Sequence, residues 1–235
     1  MQQRIFHLTS WAKTALGTSI ELYKKSHSSG DTSHGFSERP ILFIGGVHGD
    51  EPEGVRLAQE LLQWLQENEK TQSANIRPWI LIPNINPDGS AQNQRTNGSG
   101  VDLNRNFPSS DWSPEAKAPR YYPGPSPGSE PEVQALVKLI EDEKPHLIVH
   151  FHSWEPCVVY TGEPGKKAAE ILATGTGYEH REDIGYPTPG SLGQFGWIDK
   201  KTPVVCIEEQ SGVDLNLVWP HFKAGLQMLL TGKGF

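Results

Sequence analysis

Residues 41–65, ILFIGGVHGDEPEGVRLAQELLQWL, contain the strand, loop and helix that decide the fold. The run ILFIGG (41–46) is apolar and ends in glycines, which predicts a short buried strand followed by a tight loop. From Pro52 to Lys70 apolar residues recur at helical spacing, and proline suits the first turn of a helix. One strand–loop–helix unit is therefore predicted here.

The same alternation continues along the chain. Further strand-like runs lie at 76–87, 146–152, 157–162 and 203–209, and helix-like segments lie at 129–144, 165–174 and 215–231. The helix at 129–144 begins with Ser129 and Glu132, which have the spacing of a capping box. Strands that alternate with helices predict an α/β fold in which a mixed, largely parallel sheet is sandwiched by helices. In such folds, functional sites lie at the carboxyl ends of strands.

Length, charge and turn content narrow the possible functions. A chain of 235 residues predicts one domain over residues 1–235, or at most a domain with a small appendage. The formal net charge is −7 and there is no basic run, so nucleic acid and anionic membrane surfaces are not expected partners. Residues 88–128 show little periodicity, which indicates functional loops, and residues 26–40 predict a surface loop or hairpin tip between two early strands.

The cellular compartment is predicted from the sequence's lack of a signal-peptide run and of a membrane span, and from its two cysteines. The first thirty residues contain no apolar run typical of a signal peptide, and no stretch approaches the roughly 20 apolar residues of a membrane span. The two cysteines, Cys157 and Cys206, lie in apolar strand-like segments and are predicted to be buried thiols. We therefore expect a cytoplasmic protein.

A histidine and a glutamate flank the loop between the first predicted strand and helix. His48 and Glu51 are three positions apart and can face one metal ion, because Zn²⁺ accepts imidazole nitrogen and carboxylate oxygen. A catalytic zinc needs a third protein ligand, and His152 at the end of the strand HLIVHFH fits that role. His150 lies on the same strand face, so it is either a rival ligand or a hydrogen-bond partner of His152.

Several further motifs occur in a fixed order. NPDG (86–89) is followed by Arg95, by GVDLNRNFP (100–108), by FHSW (151–154) and by a strand ending in Glu208. Together with HGDE (48–51), this series resembles the zinc carboxypeptidase family. PGSEPE (127–132) and GYPTPGS (185–191) resemble its bacterial murein peptide amidase branch most.

The resemblance implies a metal site and a general base. It makes His48, Glu51 and His152 the ligands of one Zn²⁺ per chain, although Mn²⁺ or Co²⁺ also suits this donor set. Glu208 resembles the family's general base, which takes a proton from water and passes it to the leaving amine. The adjacent Glu209 must point to the opposite face of the strand.

Other roles also follow from the resemblance. Arg95 matches the arginine that stabilises the oxyanion, and the pair Asn104 and Arg105 matches the group that grips a substrate carboxylate. Tyr186 lies near the family's mobile tyrosine, with a register about one residue off, and is assigned to substrate binding. Asp102 is expected to be a structural carboxylate in the same loop.

The expected activity is zinc-dependent hydrolysis of an amide bond next to a free carboxylate. The amidase-like segments favour the bond between γ-D-glutamate and meso-diaminopimelate in cell-wall tripeptide, with a small cell-wall peptide as partner and peptidoglycan recycling as the setting. Ser153 and Trp154 follow His152 as in digestive-type carboxypeptidases, which leaves the substrate open. The alternatives are a carboxypeptidase of different specificity, an aspartoacylase-like deacylase, and a binding module that has lost catalysis. The sequence does not predict an oligomeric state.

Overall fold

The computed structural model describes residues 5–25, 39–71 and 75–232. The strands are β1 (Phe6–Lys13), β2 (Ser19–Lys25), β3 (Ile41–Ile44), β4 (Trp79–Ile82), β5 (Leu147–Trp154), β6 (Cys157–Thr161), β7 (Glu179–Arg181) and β8 (Val204–Gln210). The helices are α1 (Pro52–Thr71), α2 (Pro87–Gln92), α3 (Pro131–Glu143), α4 (Glu163–Leu172), α5 (Leu192–Gln194) and α6 (Leu215–Thr231). Short 3₁₀ turns occur at Leu103–Arg105 and Pro119–Tyr121, and a π-helical turn at Phe195–Asp199 follows α5.

The strands form one eight-stranded sheet in the order β1-β2-β4-β3-β5-β8-β6-β7. The central strands β4, β3, β5 and β8 run parallel, whereas β2 meets β4 and β6 meets β8 in antiparallel fashion. The prediction of a mixed, largely parallel sheet is therefore confirmed. Within the described residues, no helix is long and apolar enough to cross a lipid bilayer.

Helices cover both faces of this sheet because the central strands are apolar on both sides. In β3, Ile41 and Phe43 face a core that includes residues of α1, α4 and α6, while Leu42 and Ile44 face the opposite core, which includes residues of α3. This division follows from the two-residue period of a strand. A strand with four fully buried residues is typical of the interior of a parallel sheet.

The sheet brings three strand ends together. Because β3, β5 and β8 are neighbours and parallel, the loop after β3 and the last residues of β5 and β8 lie at one edge. His152 on β5 is directly paired with Glu208 on β8. The spacing between these two residues is therefore set by the sheet register.

Several local predictions were wrong. The strand predicted at 76–87 is restricted to Trp79–Ile82, because proline follows at position 83 and the chain then turns into α2. Ser129 does not cap α3: the cap residue is Glu130, and the Ser129 hydroxyl instead donates to the Glu130 carboxylate at 2.7 Å.

The hairpin and thiol predictions also need correction. Residues 26–38 lie outside the described residues, and the strands that flank them are not paired, since β4 lies between β2 and β3. Cys157 is buried as predicted, whereas Cys206 is only partly buried and lines a cavity.

Candidate active site

The three predicted ligand residues converge at the edge of the sheet. Nδ1 of His48 lies 2.9 Å from Nδ1 of His152, and the Glu51 carboxylate reaches both nitrogens at 2.8 Å. All three residues are buried or nearly so, with exposures of 3%, 9% and 2% for His48, Glu51 and His152. Two imidazole nitrogens and a carboxylate aimed at one point are a donor set that zinc prefers. The residues present therefore fit a divalent cation.

The turn that carries His48 and Glu51 depends on a glycine. A Cβ atom at Gly49 would lie 2.0 Å from the carbonyl carbon of Gly89 and 2.3 Å from the amide nitrogen of Ser90. Only glycine allows the turn to approach the backbone of α2 this closely. The motifs HGDE and NPDG are thus in direct contact, although 34 residues lie between them.

Asp102 holds the outer side of His48. Its fully buried carboxylate accepts hydrogen bonds from Nε2 of His48 at 3.1 Å and from Nε of Arg95 at 2.8 Å. It also accepts a hydrogen bond from the backbone amide of Asn104 at 2.9 Å. Burial opposes ionisation, but His48 and Arg95 outweigh it and hold the pKa of Asp102 far below its usual range. The structure agrees with the expectation of a structural carboxylate, and the contact with His48 orients that ring.

His150 contacts His152 on the side away from Glu51. Nδ1 of His150 lies 2.8 Å from Nε2 of His152. His150, His152 and Cys206 also form a group of potential ligands, but Nδ1 of His152 faces His48 and Glu51. When Nδ1 of His152 serves as a ligand, its ring hydrogen lies on Nε2 and is donated to His150. This geometry favours the partner role over the ligand role for His150.

Burial and neighbouring charges act in opposite directions on the pKa values of His48, Glu51 and His152. Burial would raise the pKa of Glu51, yet the neighbouring His48 and His152 hold it well below its usual range. Burial and Arg95 act to lower the pKa of His48, but the carboxylates of Glu51 and Asp102 outweigh them and raise it. Burial lowers the pKa of His152 and keeps its ring neutral, as a metal ligand requires.

Glu208 lies beside this cluster and faces the same cavity. The cavity has a volume of 300 Å³ and is lined by His48, Glu51, His152 and Glu208, among others. Burial and the negative charge of Glu51 raise the pKa of Glu208 to about 8. Glu209 points the other way, where it accepts hydrogen bonds from Tyr178 and from His221. Strand alternation therefore distinguishes the two glutamates correctly.

The predicted arginines also line this cavity. Nη1 of Arg95 lies 3.3 Å from Glu51, so its guanidinium group borders the ligand cluster. Nη1 of Arg105 donates to the Asn104 carbonyl at 2.7 Å, and Oδ1 of Asn104 accepts from the Leu192 amide at 2.9 Å. Within the described residues, the Asn104 side-chain NH₂ group has no hydrogen-bond partner, so it is available to a ligand in the cavity.

The mouth of the cavity contains aromatic residues. Tyr186 is 39% exposed, and its ring meets Trp154 edge-on at a centroid distance of 5.8 Å. Trp154 therefore forms part of the cavity wall. Tyr121 was not indicated by the sequence. Its ring centroid lies 5.1 Å from Cζ of Arg95 and 6.0 Å from Cζ of Arg105. A tyrosine in a loop without periodicity carries no sequence signal that would have identified it.

A buried glutamate that the sequence did not indicate supports the site from behind. Glu53, in the first turn of α1, accepts hydrogen bonds from the Ser153 hydroxyl at 2.7 Å and from the Gly212 amide at 2.6 Å. It thereby connects the helix after Glu51, the strand of His152 and the loop after β8. In the sequence, Glu53 is indistinguishable from an ordinary acidic residue at a helix start.

Comparisons with known proteins agree with these motifs. A family model described as zinc carboxypeptidase matches residues 1–189. Murein peptide amidase A of Escherichia coli (strain K12) is 33% identical over 165 residues, which is 66% of this chain and 64% of that protein. Murein peptide amidase A of Vibrio campbellii is 28% identical over 212 residues, or 85% of this chain and 78% of that protein. The crystal structure of murein-tripeptide amidase MpaA from Escherichia coli O157 has a TM-score of 0.71 and 26% identity, covering 96% of this chain and 91% of that one. The alignment with the K12 protein thus spans slightly under two thirds of its length.

Proposed function

The chain belongs to the zinc carboxypeptidase family, and from this premise we propose that it is a zinc-dependent hydrolase that cleaves an amide bond next to a free carboxylate. The observation that carries the proposal is the convergence of His48, Glu51 and His152 beside Glu208 in one cavity. Glu208 lies beyond the residues matched by the family model, so its assignment rests on the sheet register and on its position.

We assign one Zn²⁺ per chain to Nδ1 of His48, the Glu51 carboxylate and Nδ1 of His152. When bound, zinc acts as a Lewis acid that polarises a carbonyl group and brings the pKa of water towards neutrality. Asp102 and His150 fix the rings of His48 and His152 in the orientation that this role requires.

Glu208 is the proposed proton carrier. Its side chain is buried at the wall of the cavity, and a raised pKa suits a group that must both accept and return a proton near neutral pH. In its ionised form the carboxylate takes a proton from the attacking water, and in its protonated form it delivers that proton to the leaving amine. The positive field of Arg95 acts in favour of the ionised form.

Four further residues position the substrate in this proposal. The guanidinium group of Arg95 borders the ligand cluster and would stabilise the negative charge that develops on the scissile carbonyl oxygen. Arg105 and the Asn104 amide would bind the carboxylate of the residue that leaves, since both present donors to the cavity. Tyr186 would contact the substrate at the mouth of the cavity.

The proposed substrate is a small cell-wall peptide cleaved between γ-D-glutamate and meso-diaminopimelate. The two relatives named murein peptide amidase A and the neighbouring amidase structure support it. A cytoplasmic setting in peptidoglycan recycling is part of the same proposal, and it is consistent with two cysteines that form no disulfide bond. We also propose that residues 1–235 act as a single catalytic domain.

Product analysis by mass spectrometry tests this proposal. The zinc-loaded protein and a Glu208→Gln variant are incubated with L-Ala-γ-D-Glu-meso-diaminopimelate, and bound zinc is measured in both samples. We expect free diaminopimelate from the wild type alone, with one zinc in each protein, because the Glu208 side chain is not among the three converging ligand groups. Cleavage of ordinary C-terminal peptides with none of the tripeptide would favour a carboxypeptidase of different specificity. Equal turnover by the variant would remove Glu208 from the mechanism.

A further inference from the structure

His152 has a second ring nitrogen, which faces away from the proposed zinc site. Nδ1 faces His48 and Glu51, whereas Nε2 lies 2.8 Å from Nδ1 of His150. His150, His152 and Cys206 each offer a ligand atom within 4.8 Å of the other two. Two imidazoles and a thiol are donors that bind divalent cations, and the chemistry proposed above does not use the thiol.

The register of the sheet explains why these donors converge. His150 is paired with Cys206, and His152 with Glu208, on the adjacent parallel strands β5 and β8. Residues two apart on a strand share a face, so the four side chains lie together on one face of the sheet. The Cys206 thiol donates to Oε1 of Glu208 at 3.3 Å, which adds a carboxylate oxygen to the group. These four residues are called the outer array below.

The spacing within the outer array suits a tetrahedral cation. Zinc bonds of about 2.0 Å to nitrogen and oxygen and about 2.3 Å to sulfur separate neighbouring ligand atoms by about 3.3 to 3.6 Å. The Sγ–Oε1 distance of 3.3 Å lies at the lower end of this range. The two histidine nitrogens, 2.8 Å apart, need to separate by only about 0.5 Å. His150, Cys206 and Glu208 line a cavity of 110 Å³ beside the main one, which gives an ion a route of entry.

A neutral His152 ring can serve only one of the two sites at a time. With zinc on Nδ1, the ring hydrogen lies on Nε2 and is donated to His150, as described above. A cation on Nε2 instead leaves the hydrogen on Nδ1, where Glu51 accepts it at 2.8 Å. The proposed zinc site then loses its third ligand.

We propose that the outer array is a second site, specific for thiophilic divalent cations, and that it competes with the zinc site for His152. A thiolate ligand favours soft cations such as Cd²⁺, and the thiol releases its proton to solvent when the cation binds. A cation held there also occupies the carboxylate of Glu208, the proposed proton carrier. The inference rests on the proposed function in one respect, the assignment of zinc to Nδ1 of His152.

Cadmium binding to the zinc-free protein tests the proposal. We expect one Cd²⁺ per chain to produce the ultraviolet charge-transfer band of a cadmium–thiolate bond. Cys206→Ser should lose this band, and so should Cys206→Ala, which has no hydroxyl group. Zinc at about ten times its own Kd should raise the apparent Kd for Cd²⁺ about tenfold, because each ion excludes the other.

Cys157→Ser is the matched control. The Cys157 thiol is also buried, but it interacts with Arg181 and, among the described residues, does not belong to the converging donors, so the band should persist. A wild type without the band, or a band that survives in both Cys206 variants, would overturn the second site. A Kd for Cd²⁺ that zinc does not change would overturn the sharing of His152.

A separate measurement distinguishes failure of the proposed function. Zinc binding to Cys206→Ser is measured by competition with a chromophoric chelator, and one zinc per chain is expected because the thiol is not a ligand of the proposed zinc site. Absence of bound zinc in this variant and in the wild type would contradict the proposed function. The cadmium–thiolate band would still decide whether the outer array binds a cation.

Discussion

Replacing Gly49 by alanine tests whether contact between two loops sets the geometry of the proposed metal site. The added Cβ would lie 2.0 Å from the carbonyl carbon of Gly89 and 2.4 Å from its oxygen. Carbon atoms in contact are separated by about 3.5 Å, so the turn and the backbone of α2 must move apart by more than about 1 Å. No flexible side chain is available to give way, because the atoms that clash belong to the backbone.

The displaced turn carries both His48 and Glu51. We expect Gly49→Ala to destabilise the metal-free protein by about 1 to 3 kcal/mol, as overpacking does, and to weaken zinc binding by about 10- to 100-fold. Urea unfolding gives the first quantity, and competition with a chromophoric chelator gives the second.

Gly165→Ala provides the control for this experiment. Its Cβ would meet Tyr160 and Pro203 at 3.4 Å and 3.5 Å, which are ordinary contacts, and the position lies inside α4. Alanine is a better helix former than glycine by about 0.5 to 1 kcal/mol, so this variant should be neutral or slightly more stable. Wild-type zinc affinity in Gly49→Ala would refute the argument that the contact between the two motifs positions the ligands.

Three further outcomes are expected. Asp102→Asn should weaken zinc binding by about 10- to 100-fold in chelator competition, because His48 loses a charged hydrogen-bond acceptor. Unchanged zinc affinity would mean that the turn alone orients the His48 ring. His150→Phe should weaken zinc binding through loss of the acceptor for Nε2 of His152, and His150→Gln should restore part of it; equal affinities in both variants would contradict this. In the metal-free protein, Glu208 has a pKa of about 8 against 4.5 for an ordinary glutamate, so between these values the native state holds a proton that the unfolded chain releases. Stability should therefore fall by up to about 1.4 kcal/mol per pH unit as the pH rises through this window, and urea unfolding of Glu208→Gln should show a flatter dependence; identical pH profiles would argue against the raised pKa.

The fold and the convergence of His48, Glu51 and His152 could be predicted because their signals are local or belong to a motif. Apolar runs identified β3, β5 and β8, and the similarity to a zinc carboxypeptidase-like structure confirms the expected fold. The structure brings together His48, Glu51 and His152, and it separates Glu208 from Glu209 by strand alternation. These features follow from periodicity and from the order of elements along the chain.

Other parts of the site depend on contacts between distant segments. The Tyr121 ring lies beneath the Arg95 guanidinium group, and Glu53 accepts hydrogen bonds from both Ser153 and Gly212. Neither Tyr121 nor Glu53 belongs to a sequence pattern that would have indicated its contacts. The failure of Ser129 as a helix cap has a similar cause, since its hydroxyl is bound by Glu130 and by Asn106, which lies 23 residues away. Spacing along the chain cannot reveal which partner a polar side chain will choose when several are within reach.

The central strands and the loops of this site differ in how well they tolerate substitution. The pairing of His152 with Glu208 is fixed by hydrogen bonds of adjacent parallel strands, so the distance between the proposed metal ligand and the proposed proton carrier cannot change without disrupting the sheet. Tyr186, which is proposed to contact the substrate, instead lies on the loop after β7, a short strand at the edge of the sheet. Loops tolerate substitution far better than central strands do. Substitutions in the loop after β7 should therefore alter substrate binding while His152 and Glu208 keep their spacing.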